Sequence, residues 1–156
     1  MKKRLYPLFL LVWLSLAAWT TPPLARATLG ESADSVESDR RALSGVRRAA
    51  TSRDGYTVHE AVSDANSVRE YVSSSGIVFA IAWNGLSHPD LTLLLGSYAG
   101  EYWQAAKQTP RKPGRRSLQV KGGRVVVEKW GHMRNLQGRA YVPALIPPGV
   151  SLDEIK

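Results

Sequence analysis

The chain predicts an α+β fold, an antiparallel sheet of five or six short strands with one main helix packed on a face and a short N-terminal helix before it. Three observations lead there. β-rich runs separated by turn residues recur between Tyr56 and Val142. One stretch, Leu91 to Tyr102, instead repeats apolar residues at spacings of three and four. Gly122-Gly123 stands between two β-rich runs, the composition of a tight hairpin turn.

In chain order, residues 1–27 read as a cleavable signal peptide. Met1-Lys2-Lys3-Arg4 is basic, Leu5 to Trp19 is apolar apart from Pro7 and Ser15, Thr20-Thr21-Pro22-Pro23 stops a helix, and Ala25-Arg26-Ala27 has the small-x-small pattern of a cleavage site. An uncleaved anchor needs about 20 apolar residues, more than this run supplies before its two prolines. Cleavage between Ala27 and Thr28 leaves a mature chain with no expected transmembrane span and, since cysteine is absent, no thiol to carry a lipid.

Residues 28–50 form a polar segment. Glu31, Asp34, Glu37 and Asp39 precede Arg40, Arg41, Arg47 and Arg48, the order that suits a helix dipole, so a helix is expected near Ser32 to Leu43. Its apolar stripe is thin. A single α+β domain is expected over 51–146, opened by the turn Arg53-Asp54-Gly55.

Tyr56 to Val62 alternates, with Tyr56, Val58 and Val62 on one face and Thr57, His59 and Ala61 on the other. Val68 to Val72 is the next strand, and Ser73-Ser74-Ser75-Gly76 is a loop of hairpin length. Ile77 to Trp83 has no polar face, which predicts a central strand covered on both sides. Ser87 as cap, Pro89 in the first turn and Asp90 at the positive end mark a helix entrance. Leu91, Leu94, Leu95, Tyr98 and Tyr102 make its apolar face, and we expect the helix to run from Pro89 to about Ala106, although Gly96 is able to break it.

Thr109 to Arg116 is a basic loop. A two-residue turn at Gly122-Gly123 would set Val120 opposite Val125, Leu118 opposite Val127, and Lys121 against Arg124 at an exposed basic tip. Trp130-Gly131-His132 ends that strand, and Ala140-Tyr141-Val142 forms a short last one. Residues 147–156, with Pro147-Pro148-Gly149, are expected to be a surface tail.

Charge is unevenly distributed. Loss of Lys2, Lys3, Arg4 and Arg26 with the leader leaves 17 basic against 13 acidic side chains. Between Thr28 and Glu101 there are six basic and ten acidic residues, whereas between Lys107 and Arg139 ten basic residues face Glu128 alone. Such an excess suits a polyanion, and after export that means an anionic polymer, a lipid surface or an acidic envelope protein rather than nucleic acid. The plainer alternative is solvated charge on strand edges and turns, where Lys and Arg discourage edge pairing. The contact candidates are Arg111, Lys112, Arg115, Arg116, Lys121 and Arg124.

Chemistry is sparse. The absence of cysteine excludes catalytic thiols, thiolate zinc sites and iron–sulfur clusters, and fits a bacterial exported product better than a disulfide-rich extracellular scaffold. His59, His88 and His132 have no metal-ligand spacing, so neither metal nor cofactor is expected. Neither Gly-x-Ser-x-Gly nor Ser-x-x-Lys occurs in the mature chain, and no phosphate loop does. An enzyme would have to be a small hydrolase or lyase using His59 with Glu60, His88 or Asp90, which requires these side chains to converge.

Thr28-Leu29-Gly30, Tyr56-Thr57-Val58-His59-Glu60, Val68-Arg69-Glu70-Tyr71-Val72, Gly76 through Trp83 with Gly85, and Pro89-Asp90-Leu91 followed by Leu94-Leu95-Gly96 resemble the bacterial domain of unknown function 2844. The resemblance spans most of the mature chain and is strongest from Tyr56 to Tyr98. It implies an exported, single-domain protein of proteobacterial type, and supplies no catalytic residues. The expected function is therefore a non-enzymatic envelope or secreted module, periplasmic or released, that binds a protein or polyanionic partner.

Overall fold

The computed structural model describes residues 28–32, 46–110 and 113–156. They form one seven-stranded antiparallel sheet in the order β1-β2-β3-β4-β7-β6-β5. The strands are β1 Val46–Arg53, β2 Tyr56–Val62, β3 Asn66–Ser73, β4 Val78–Gly85, β5 Ser117–Lys121, β6 Val126–His132 and β7 Asn135–Tyr141.

Seven strands correct the expected five or six. The extra one is β1, which begins after the helix expected near Ser32 to Leu43 and crosses the expected boundary between residues 28–50 and 51–146. Its sequence VRRAATSR has no apolar alternation, and it is strand because the Asp54-Gly55 turn folds it onto β2, pairing Arg53 with Tyr56 and Val46 with Val62. The helix expected near Ser32 to Leu43 lies outside the described residues, apart from Ser32, which bridges Ile77. β7 is also longer than the expected Ala140 to Val142.

β4 lies at the centre of the sheet, as its lack of a polar face predicts. Val78 through Trp83 are all buried, with Val78, Ile81 and Trp83 in one core and Phe79, Ala80 and Ala82 in the other. On the first face, Val68, Ile81, Trp83, Val120, Val127 and Ala140 pack against the helices and Leu29. On the second, Tyr56, Tyr71, Phe79 and Tyr141 pack beneath Ile155, Leu152 and Ile146 of the C-terminal segment. That segment is therefore no loose tail. Ile155 is fully buried, and the main-chain oxygens of its neighbours bind Arg69, Tyr71 and Arg139.

The expected single helix is two. α1, Leu91–Leu95, is capped by the Asp90 carboxylate, which accepts from Thr92 N–H at 2.9 Å, so Asp90 rather than Ser87 is the cap. α2 spans Ala99–Gln108, with a single turn of tighter helix over Gly96–Tyr98 between them. The break is at Gly96, whose φ of 50° side chains rarely adopt. A Cβ there would lie 2.7 Å from the Thr28 Cβ, so the glycine also admits the N-terminal segment. The Leu91, Leu94, Leu95 and Tyr102 stripe is buried, as its spacing predicts.

The β5–β6 hairpin is shifted by two residues from the expected register. Val120 pairs with Val127 and Lys121 with Val126, leaving a four-residue connection, Gly122 to Val125. A shift of two keeps every side chain on its own face, so Val120, Val125 and Val127 still enter the first core. The longer loop is held by Glu101 of α2. Its carboxylate accepts from the Arg124 and Val125 amides and pairs with Arg124 Nε at 3.1 Å.

Candidate functional site

Where β5, β6 and β7 meet the end of α2, an open groove of about 900 Å³ runs along the molecule. Its walls include Thr109 and Pro110 after α2, Arg115 and Arg116 before β5, Leu118 on β5, Lys129 and Trp130 on β6, and His88 from the β4–α1 connection. Among the described residues lining it, none is acidic.

Lys129 reaches the groove because the β6 alternation that buries Val127 turns it to the same face. Its ammonium lies 5.4 Å from the centre of the Tyr102 ring, a cation–π contact that steadies the charge beside apolar surface. Arg115 and Arg116 are exposed, and among the described residues no carboxylate pairs with either.

His88 is held more tightly. Trp83 Nε1 is a donor and has no acceptor capacity, and it lies 3.0 Å from His88 Nδ1. That nitrogen must therefore accept, and a neutral His88 carries its proton on Nε2. Burial pushes the His88 pKa down, and the Lys129 charge lowers it further. The ring is thus kept as an uncharged N–H donor. Trp83 is positioned in turn by Gly138, its β7 partner, where a Cβ would come within 2.3 Å of the indole.

Of the expected contact residues, the structure brings Arg115 and Arg116 together in the groove. Lys121 lies at the far end of β5, about 15 Å along the strand at some 3.3 Å per residue, and Arg124 is engaged by Glu101 and stacks 4.9 Å over the Tyr98 ring. The exposed tip is therefore anchored rather than bare. Arg111 and Lys112 lie outside the described residues, as does Ala27, and Thr28 is buried beside Gly96. Lys129 and His88 were not among the expected polyanion contacts. The one signal for Lys129 was its place in the alternation Val125, Val127, Lys129.

The residues named for catalysis are set apart. Glu60 faces the second core side, accepting from Ser67 Oγ at 2.8 Å and pairing with Arg69 Nε at 3.1 Å. His59 points to the opposite face, in register with Glu70. Asp90 caps α1, and His88 accepts from Trp83.

A smaller cleft of about 290 Å³ on the other face is lined by Arg53, Tyr56, Glu60, Arg69 and Glu154. Its polar groups satisfy one another, Tyr56 donating to Glu154 at 2.8 Å and Arg69 to the Lys156 carbonyl at 2.7 Å. Among the described residues, no group of three His, Asp or Glu side chains is placed to hold a metal, and no helix is long and apolar enough to cross a membrane.

No curated protein and no solved structure is detectably similar to this chain. Residues 25–155 match the family described as protein of unknown function DUF2844, a span that takes in the whole sheet, both helices and the groove. The chain belongs to the DUF2844 family.

Proposed function

We propose that this protein is an exported module that binds an anionic partner through the β5–β6 groove and performs no catalysis. One observation carries the binding half: Arg115, Arg116, Lys129 and His88 line one open groove with no described carboxylate among them. Grooves lined by one sign of charge over low-dielectric walls concentrate counter-ions. Export is supported by the basic, apolar and small-residue succession of residues 1–27. Thr28 is buried in the fold, so cleavage before it belongs to the unfolded, translocating chain.

The mature protein should be retained on immobilised heparin at low salt and released as salt rises, because exposed charges are screened within about 8 to 10 Å at moderate ionic strength. Arg115→Ala with Arg116→Ala should move elution to clearly lower salt, whereas Lys121→Ala should move it much less. Lack of retention of the unsubstituted protein at low salt refutes the binding reading. Mass spectrometry of the protein from a cell-envelope fraction tests export separately, with Thr28 the expected first residue.

A further inference from the structure

β5 ends the sheet and is paired on one side alone. Gly122 N–H donates to Val125 O at 2.8 Å, directly beyond the Lys121 and Val126 pair. Antiparallel ladders alternate residues that bond inward with residues that bond outward. Val120 and Leu118 therefore share Gly122's inward sense, and Ser117, Gln119 and Lys121 present their main-chain N–H and C=O groups to the open edge. All three residues are exposed. The opposite edge strand, β1, is interrupted by a bulge between Arg47 and Ala49, which spoils the regular spacing that an added strand needs. β5 keeps an unbroken register along its whole length.

Charge says what suits this edge. Arg115 and Arg116 precede the strand and Lys121 closes it. The acids beside the strand are already engaged, Glu128 by Gln119 and Arg139 and Glu101 by Arg124 and the Val125 amide. A second copy added antiparallel would bring the paired arginines of one chain beside Lys121 of the other, and like charges oppose that. An acidic strand meets no such penalty. The groove is lined by residues 113–119, so a chain lying along β5 enters it at the strand's N-terminal end, beside Lys129 and His88.

We infer that β5 is the docking edge for an extended acidic segment of a partner protein, which adds to the sheet as an eighth strand with its carboxylates toward Arg115, Arg116 and Lys121. This rests on the anion-binding reading above and narrows the partner from any polyanion to a polypeptide strand. Main-chain hydrogen bonds supply the affinity in such augmentation and side-chain pockets supply specificity.

The probe is an acetylated, amidated decapeptide of alternating Glu and Val, offered to the ¹⁵N-labelled mature protein. Binding should slow hydrogen exchange at the Ser117, Gln119 and Lys121 amides, and N-methylation of alternate peptide amides should weaken it at least about tenfold, since charge is unchanged while the ladder is lost. Gln119→Pro removes one outward donor at a place where an edge strand tolerates proline. It should leave the circular dichroism intact and weaken the peptide by a similar factor. Equal affinity of the N-methylated peptide for the unsubstituted protein, unchanged exchange at the three amides, or no peptide binding would each overturn the inference. Should heparin retention still depend on Arg115 and Arg116 in any of those cases, the anion-binding reading survives alone. If heparin is not retained either, both fall.

Discussion

Replacing Gly138 by alanine tests the support beneath the groove. The new Cβ would stand 2.3 Å from Cζ2 and 2.6 Å from Cε2 of Trp83, and 2.7 Å from the carbonyl oxygen of Glu128. That carbonyl belongs to a strand paired on both sides, so it has little room to retreat. The indole, itself 3% exposed, is what must shift. Overpacking of this kind costs about 1 to 3 kcal/mol, and loss of the hydrogen bond to His88 adds about 1 kcal/mol. The expected destabilisation is therefore about 2 to 4 kcal/mol, read from urea unfolding of the mature chain with the slope checked for constancy. A second signature separates this mechanism from general loosening. Displacement of the indole opens the site around His88, so its pKa, followed by NMR, should climb back toward the ordinary 6.5. A variant within about 0.5 kcal/mol of the parent, with an unmoved His88 titration, would show that the ring does not lean on Gly138.

Three further outcomes follow from the same geometry. Gly96→Ala combines a positive φ with a Cβ 2.7 Å from Thr28 and should lower stability by about 2 to 4 kcal/mol, measured by denaturant titration; an unchanged midpoint would mean that α1 and α2 are free to merge. Ile155→Ala empties a fully buried site under the C-terminal segment and should cost about 2 to 5 kcal/mol, with faster proteolysis after Val142, whereas a surface tail would show neither. Hydrogen bonds from the Arg124 amide above all, then the Arg124 side chain and the Val125 amide, hold the Glu101 carboxyl below its usual pKa. Its folded pKa is depressed, so the stability it contributes is complete above the ordinary glutamate pKa and is lost as pH falls through the folded value. Glu101→Gln should therefore narrow the stability difference between pH 7 and pH 3, and identical pH profiles for the two proteins would count against the anchored loop.

Much of the sheet was legible because the pattern of each strand reflects its own two faces. Tyr56 to Val62 and Ser117 to Lys121 were read with the boundaries they have, and the unbroken apolar run of β4 announced its central place. β1 was not legible, because Arg47, Arg48 and Ser52 carry no alternation and its strand character comes from pairing with β2. The hairpin turn was visible in Gly122-Gly123, but its length was not, since Glu101, more than twenty residues earlier, holds the four-residue loop. At the groove, Arg115 and Arg116 could be found from composition. The place of His88 in the groove was not legible, because its hydrogen bond to Trp83 depends on where a buried indole ends up.

By itself, then, the amino-acid order determined the α+β class, the core stripe of the helices and the central strand. These follow from periodicities of two and of three to four residues, which are local. The tertiary structure decided the seventh strand, the break at Gly96, the hairpin register and which cations share a groove. β1 depends on its pairing with β2, and the others depend on contacts between segments distant in the chain: Thr28 against Gly96, Glu101 against Arg124, Gly138 against Trp83. Such contacts are set by where the sheet places its strands, and no local pattern encodes that placement.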